Sequence, residues 1–274
     1  MEGTAPWLDE LDLRVEARPV EMGTRALGDR PWLVVDDHRD AELALKRALR
    51  AEHGAEVFAA LDGSEEASAE VLALVLDAVG GDPEPDLHPL DDAGLRVQED
   101  LCVVQPVDGS WQLRAASLHF PSRWRLADKL GRSITEVHGP VDRYRAALAA
   151  RVDRLFERIG ERPVLRRNWF VHPDPRLFQP DRPVGGDPVV AADRALDELH
   201  VRSERQTLRR LPGSGAVLFT IRVQQVTLAE LVADAARRAA LVRLLDEGDA
   251  DVLSHRGLAA PQVAELRRAL GAAA

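Results

Sequence analysis

Residues 101–120 read LCVVQPVDGSWQLRAASLHF, and this stretch decides the fold. Two apolar, partly alternating runs flank Val107-Asp108-Gly109-Ser110, and an Asp-Gly pair in that setting favours the positive backbone angles of a tight hairpin turn. An antiparallel strand pair is therefore expected. On its C-terminal side, Trp124–Leu130 suggests a short helix closed by Gly131. A longer helix follows in VDRYRAALAARVDRLFERIG (141–160), where Tyr144, Leu148, Val152, Leu155 and Ile159 keep the helical period up to Gly160. Strand character returns in VLRRNWFVHP (164–173). After the proline-rich DPRLFQPDRPVGGDP (174–188), residues 198–228 form a second hairpin turning at Pro212-Gly213-Ser214-Gly215.

The N-terminal side differs in texture. DAELALKRALRAEH (40–53) and ASAEVLALVLDAV (67–79) carry helical periodicity, the second behind a Ser64-Glu65-Glu66 entry suited to capping. GGDPEPDLHPLDDAG (80–94) interrupts with proline and glycine and reads as a linker or surface loop. The fold class that results is α+β: an antiparallel sheet of about five strands with helices over one face between its second and third strands, plus helical extensions at both ends. That order matches a PAS-like arrangement and leaves a cavity between sheet and helices. Three regions are expected: a mainly helical extension over 1–95, the PAS-like core over 96–228, and a helical segment over 229–274.

Composition narrows the function classes. A formal net charge of −10 argues against non-specific nucleic-acid binding, which needs a basic face to displace counterions. The single cysteine, Cys102, allows no intrachain disulfide and no cluster held by four cysteines of this chain. The charged N-terminal stretch is unlike a signal peptide, and no window offers the ~18 apolar residues of a membrane helix, so a soluble, cytoplasmic protein with no membrane partner is expected. Phosphate-cradling, dinucleotide, zincin and nucleophile-elbow motifs are absent.

The residues left for chemistry are histidines and one polar strand. His119 stands beside Phe120 in a strand, His172 precedes Pro173, and His138 precedes Pro140 at a helix entrance. There it either caps a turn or offers one imidazole nitrogen to a metal. Cys102 lies in an apolar strand, where an inert buried thiol is the ordinary case. In Arg202–Thr207, strand alternation sends Arg202, Glu204 and Gln206 to one face and Ser203, Arg205 and Thr207 to the other. A carboxylate on the cavity side would suit a cationic amine, an arginine a bound oxygen or an acidic group, and an exposed charged edge strand is the alternative.

Taken in order, VQEDLCVVQ (97–105), SLHFPSRWRLADKLGRSITEVHGPV (117–141), LRRNWFVH (165–172) and RSERQTLRRLP (202–212) resemble the haem-dependent oxidative N-demethylase family, over roughly Trp32–Leu231. The resemblance implies a haem-binding PAS-type domain that activates dioxygen at the iron to demethylate a small secondary amine such as dimethylamine. Electrons would come from NADPH through separate flavin and iron–sulfur reductase subunits. It also implies His138 as the iron ligand, Phe120, Trp124, Trp169 and Arg205 as haem contacts, and Arg202, Glu204 and Thr207 as the catalytic group. The chain departs from the family where a second proline often follows Val141; here Asp142 does. A non-catalytic haem or small-molecule module is the alternative reading.

Overall fold

At the deciding turn, Asp108 and Gly109 adopt φ of 48° and 78°, and the strands on either side, β3 (Asp100–Val107) and β4 (Ser110–Ser117), pair antiparallel with a bulge between Val103 and Val104. The computed structural model describes residues 5–14, 24–137, 155–160 and 162–271. The third long strand is β5 (Val164–His172), and the second hairpin is β6 (His200–Arg210) with β7 (Val217–Thr227). All strand pairings are antiparallel, and with two short edge strands, β1 (Arg25–Ala26) and β2 (Phe58–Ala60), the sheet runs β1-β5-β6-β7-β3-β4-β2.

The fold is α+β, with seven strands where about five were expected. The two extra strands are β1 (Arg25–Ala26), on the edge beside β5, and β2 (Phe58–Ala60), on the edge beside β4. Each is too short to show a period of two, so neither is visible as alternation.

Segments between the second and third long strands cover the front of the sheet, and the helices of the two ends cover its back. Behind the sheet, α1 (Arg39–His53) and α2 (Glu65–Val79) keep the expected cores, and Val71, Leu72 and Val75 of α2 pack on Leu101, Val103, Ala115 and Leu218. Ser64 does not cap α2 with its side chain; its hydroxyl instead donates to Leu61 O at 2.7 Å. The proline-rich break contains a buried helix, α3 (Pro89–Gly94), which starts where a first-turn proline needs no amide partner and His88 accepts from Leu90 N. Gly94 is required there, because a Cβ would collide with the side chain of Ser117. Toward the other end of the same face, the C-terminal helices Leu228–Val232, Ala235–Glu247, Ala250–His255 and Ala260–Gly271 bury Leu241, Leu244 and Leu266 against Trp169, Val171 and Val201.

Between these two apolar zones the back of the sheet is polar. Arg167, Arg205 and Arg222 stand in register across β5, β6 and β7. Arg222 pairs with Asp36 at 2.7 Å and Glu42 at 2.8 Å, Arg205 donates to Pro31 O at 2.6 Å, and Arg167 pairs with Glu10 at 3.2 Å. The irregular lead of the chain is thus fastened across the back face by charge-assisted bonds.

The front face carries Cys102, Val104, Leu113 and Leu208 and packs on Leu126, Ile134, Phe156 and Ile159. The expected short helix is a single turn, Leu126–Asp128, and Gly131 follows at φ 75°. A four-residue helix, α4 (Ile134–Val137), comes next, and residues 155–158 are helical. Most of the long helix expected over 141–160 lies outside the described residues. Among the described residues, no helix is long and apolar enough to cross a membrane.

Candidate functional site

On the front face the sheet and its covering segments leave a cavity of about 980 Å³, within the range of ligand sites. Its floor is built by alternation. Arg166, Asn168, Phe170 and His172 project from β5, Glu204, Gln206 and Leu208 from β6, and Phe219 and Ile221 from β7. Its walls come from three segments distant in sequence: Ser122–Ile134 with Leu155 and Phe156, the loop following His172, and residues 254–262.

The polar strand behaves as alternation requires. Glu204 and Gln206 reach the cavity, and Gln206 Nε2 donates to Glu204 Oε2 at 2.7 Å, which fixes the carboxylate and leaves its other oxygen for a ligand. Arg202 lies on the same face but is fully buried. Its guanidinium donates to Ser122 Oγ, Phe120 O, Pro121 O, Leu177 O and Arg176 O, so it ties two wall segments to the strand. Arg205 and Thr207 face the back. Arg205 holds the Pro31–Trp32 backbone, and the Thr207 hydroxyl bonds Thr220 Oγ1 at 2.6 Å.

Of the expected aromatic contacts, Trp124 lines the cavity. Trp169 points to the back, where Nε1 donates to Asp12 O at 3.0 Å and the Arg256 guanidinium lies 4.1 Å from its ring. Phe120 packs with Leu49, Val57, Ile221 and Val223, and its carbonyl serves Arg202. His138 lies outside the described residues. Ile134, four residues before it, and Leu155 line the cavity.

Three electrostatic features shape the site. Arg123 and Asp187 form a two-pronged ion pair at 2.5 Å across the wall. Arg166 is half-buried; that partial burial lowers its pKa, and the Glu204 charge opposes the shift. Burial, with Arg202 and Arg123 nearby, drives His172 down to about 4, so its ring is neutral near pH 7. His172 Nδ1 is buried and without a hydrogen-bond partner among the described residues. Burial pushes the Cys102 thiol up, and it stays an unreactive part of the floor.

His119 is fully buried with neither ring nitrogen bonded among the described residues, and burial with the Lys46 charge lowers it to about 2. Its backbone amide and that of Phe120 are held by Asp100 at 2.8 and 2.9 Å, so it belongs to the frame beside the site. Sequence reasoning missed Arg166, Asn168 and His255, which also line the cavity. Arg166 and Asn168 had a signal in the alternation of LRRNWFVH, but its inward phase becomes readable only once β5 is registered against β6. His255 sits in a charged helix end with no such signal.

The polar floor, apolar wall and basic residues Arg166, Arg182 and Lys129 at the cavity describe a site for a large, mostly apolar group with acidic substituents, next to a small polar ligand. Every cavity residue except Thr24 lies within residues 79–262, the span matched by the family model described as haem-dependent oxidative N-demethylase, alpha subunit-like.

Proposed function

Since the chain belongs to the haem-dependent oxidative N-demethylase, alpha subunit-like family, we propose that its front cavity holds a haem and presents a small secondary amine to it from the sheet. One observation carries the reading: a cavity of about 980 Å³ with an apolar, aromatic wall and basic residues has a single carboxylate, Glu204, on its floor. The residues fit the cofactor. Trp124, Phe156 and Phe219 offer apolar surface, Arg182 and Lys129 suit propionates, and His138, which follows the cavity-lining Ile134 by four residues and matches the family block, is our choice of iron ligand. The five long strands taken alone run in the order 2-1-5-4-3, which supports a PAS-type core, with 1–95 and 229–274 as extensions packed on it.

When bound, haem supplies the redox centre at which an N-methyl amine, dioxygen, two electrons and two protons become the demethylated amine, formaldehyde and water. The side chains do the remaining work. Glu204, braced by Gln206, holds the substrate ammonium by a charge-assisted hydrogen bond. His172, neutral with an unbonded buried Nδ1, accepts or donates a proton at that atom. Arg202 keeps the wall segments closed and excludes water, a positioning role. Because this chain has one cysteine, a cysteine-ligated electron-transfer cluster belongs on other subunits, in line with a reductase that draws on NADPH through flavin and iron–sulfur centres.

The test is spectroscopic first and catalytic second. The purified full chain should show a Soret band that shifts or collapses in His138→Ala, and dimethylamine should perturb that band in the parent and not in Glu204→Gln. Turnover to formaldehyde with a supplied reductase completes it. A colourless protein after expression with haem precursor, or an unchanged spectrum in His138→Ala, refutes the corresponding assignment.

A further inference from the structure

The floor of the cavity carries a positive charge as well as a negative one. Arg166 on β5 pairs with Gln206 on β6, while Asn168 pairs with Glu204, so Arg166 and Glu204 are diagonal neighbours on one face. Such positions place side chains ~7–8 Å apart at their bases, within reach of the two ends of one small ligand. Both side chains line the cavity, yet among the described residues no ion pair joins them and Arg166 makes no hydrogen bond, Glu204 acting on it only through its charge.

That idleness distinguishes Arg166 from its neighbours. Arg167, Arg202, Arg205 and Arg222 on the same three strands are each engaged by carbonyls, hydroxyls or carboxylates. Its half-buried guanidinium opens on the cavity with no acceptor from the described residues, so an incoming anion gains a charge-assisted bond there without displacing a partner. Dimethylamine, a single cation, satisfies Glu204 and leaves Arg166 idle. A ligand with an ammonium and a carboxylate a few bonds apart satisfies both.

We infer that the preferred substrate is a zwitterion, an N-methylated amino acid whose ammonium sits on Glu204 and whose carboxylate sits on Arg166. This rests on the amine-demethylase reading above and names its substrate class. Asn168, directly opposite Glu204 and next to Arg166 on the same face of β5, has its side-chain oxygen committed to Trp169 N at 3.0 Å, which leaves its amide hydrogens to the ligand.

The test titrates the haem-loaded full chain with N-methylglycine, dimethylamine and acetate, following the Soret band and, independently, heat of binding. N-methylglycine should bind more tightly than dimethylamine by roughly ten- to a hundredfold, the size of one desolvated charge-assisted pair. In Arg166→Gln that preference should vanish at unchanged haem content, and Arg166→Lys should restore part of it. Binding of dimethylamine with no preference for N-methylglycine overturns the zwitterion assignment alone. Loss of haem from Arg166→Gln overturns it too, by giving the arginine to a propionate. Failure of both amines to bind overturns the amine reading and this inference together.

Discussion

At the residue scale, His172 shows how one buried ring reports on the site. Its folded pKa is about 4 and its ordinary value 6.5, so between those limits the unfolded chain carries a proton that the folded chain does not. Stability contributed by this group therefore falls as pH drops from 6.5 toward 4 and levels below, by on the order of 3 kcal/mol in all. His119 acts in the same direction and continues to about pH 2. Urea denaturation between pH 4 and 7.5 should show a shallower acid loss in His172→Gln than in the parent; parallel curves would remove the buried neutral ring from the account. At this scale the sequence was partly legible. The alternation that sent Glu204 and Gln206 one way and Arg205 and Thr207 the other appears in the structure. Which face met the cavity depended on what covers each side, so Arg205, Thr207 and Trp169 stand on the back.

At the element scale, the second hairpin is secured from outside itself. Glu70 on α2 accepts from Gly213 N at 2.9 Å, Ser214 N at 3.0 Å and Ser214 Oγ at 2.8 Å. Partial burial works against its charge, but those donors win and hold the carboxyl below its usual range. Glu70→Ala should cost about 1–2 kcal/mol, because the turn amides can reach water while the helix loses its tie to the hairpin. An unchanged urea midpoint would count against that tie. The Pro-Gly-Ser-Gly turn was legible because its residues punctuate two β-rich runs. The buried helix Pro89–Gly94 was not, since a six-residue element hides inside a proline-rich break that looks like linker. The two short edge strands escaped for the same reason, being shorter than the pattern that would reveal them.

At the scale of the whole molecule, the row of Arg167, Arg205 and Arg222 joins the irregular lead to the centre of the sheet. Replacing Arg222 by Met leaves Asp36 and Glu42 without their counter-charge. A loss of about 3–5 kcal/mol is expected in thermal or urea unfolding, and Glu42→Gln added to it should recover part. A loss under ~1 kcal/mol would show that the lead is held by packing instead. The front cavity has a comparable dependence on distant parts of the chain. Its last wall, residues 254–262, is anchored where Val171 N donates to Arg256 O at 2.8 Å, and a Cβ on Gly257 would strike Val171 O. Seen in time instead of space, synthesis has to pass residue 262 before the pocket has all its sides. The sheet can assemble while translation continues, but a ligand arriving then would meet an open trough. On the proposed reading, haem capture would be a late event, following the return of residues 254–262 to the third long strand.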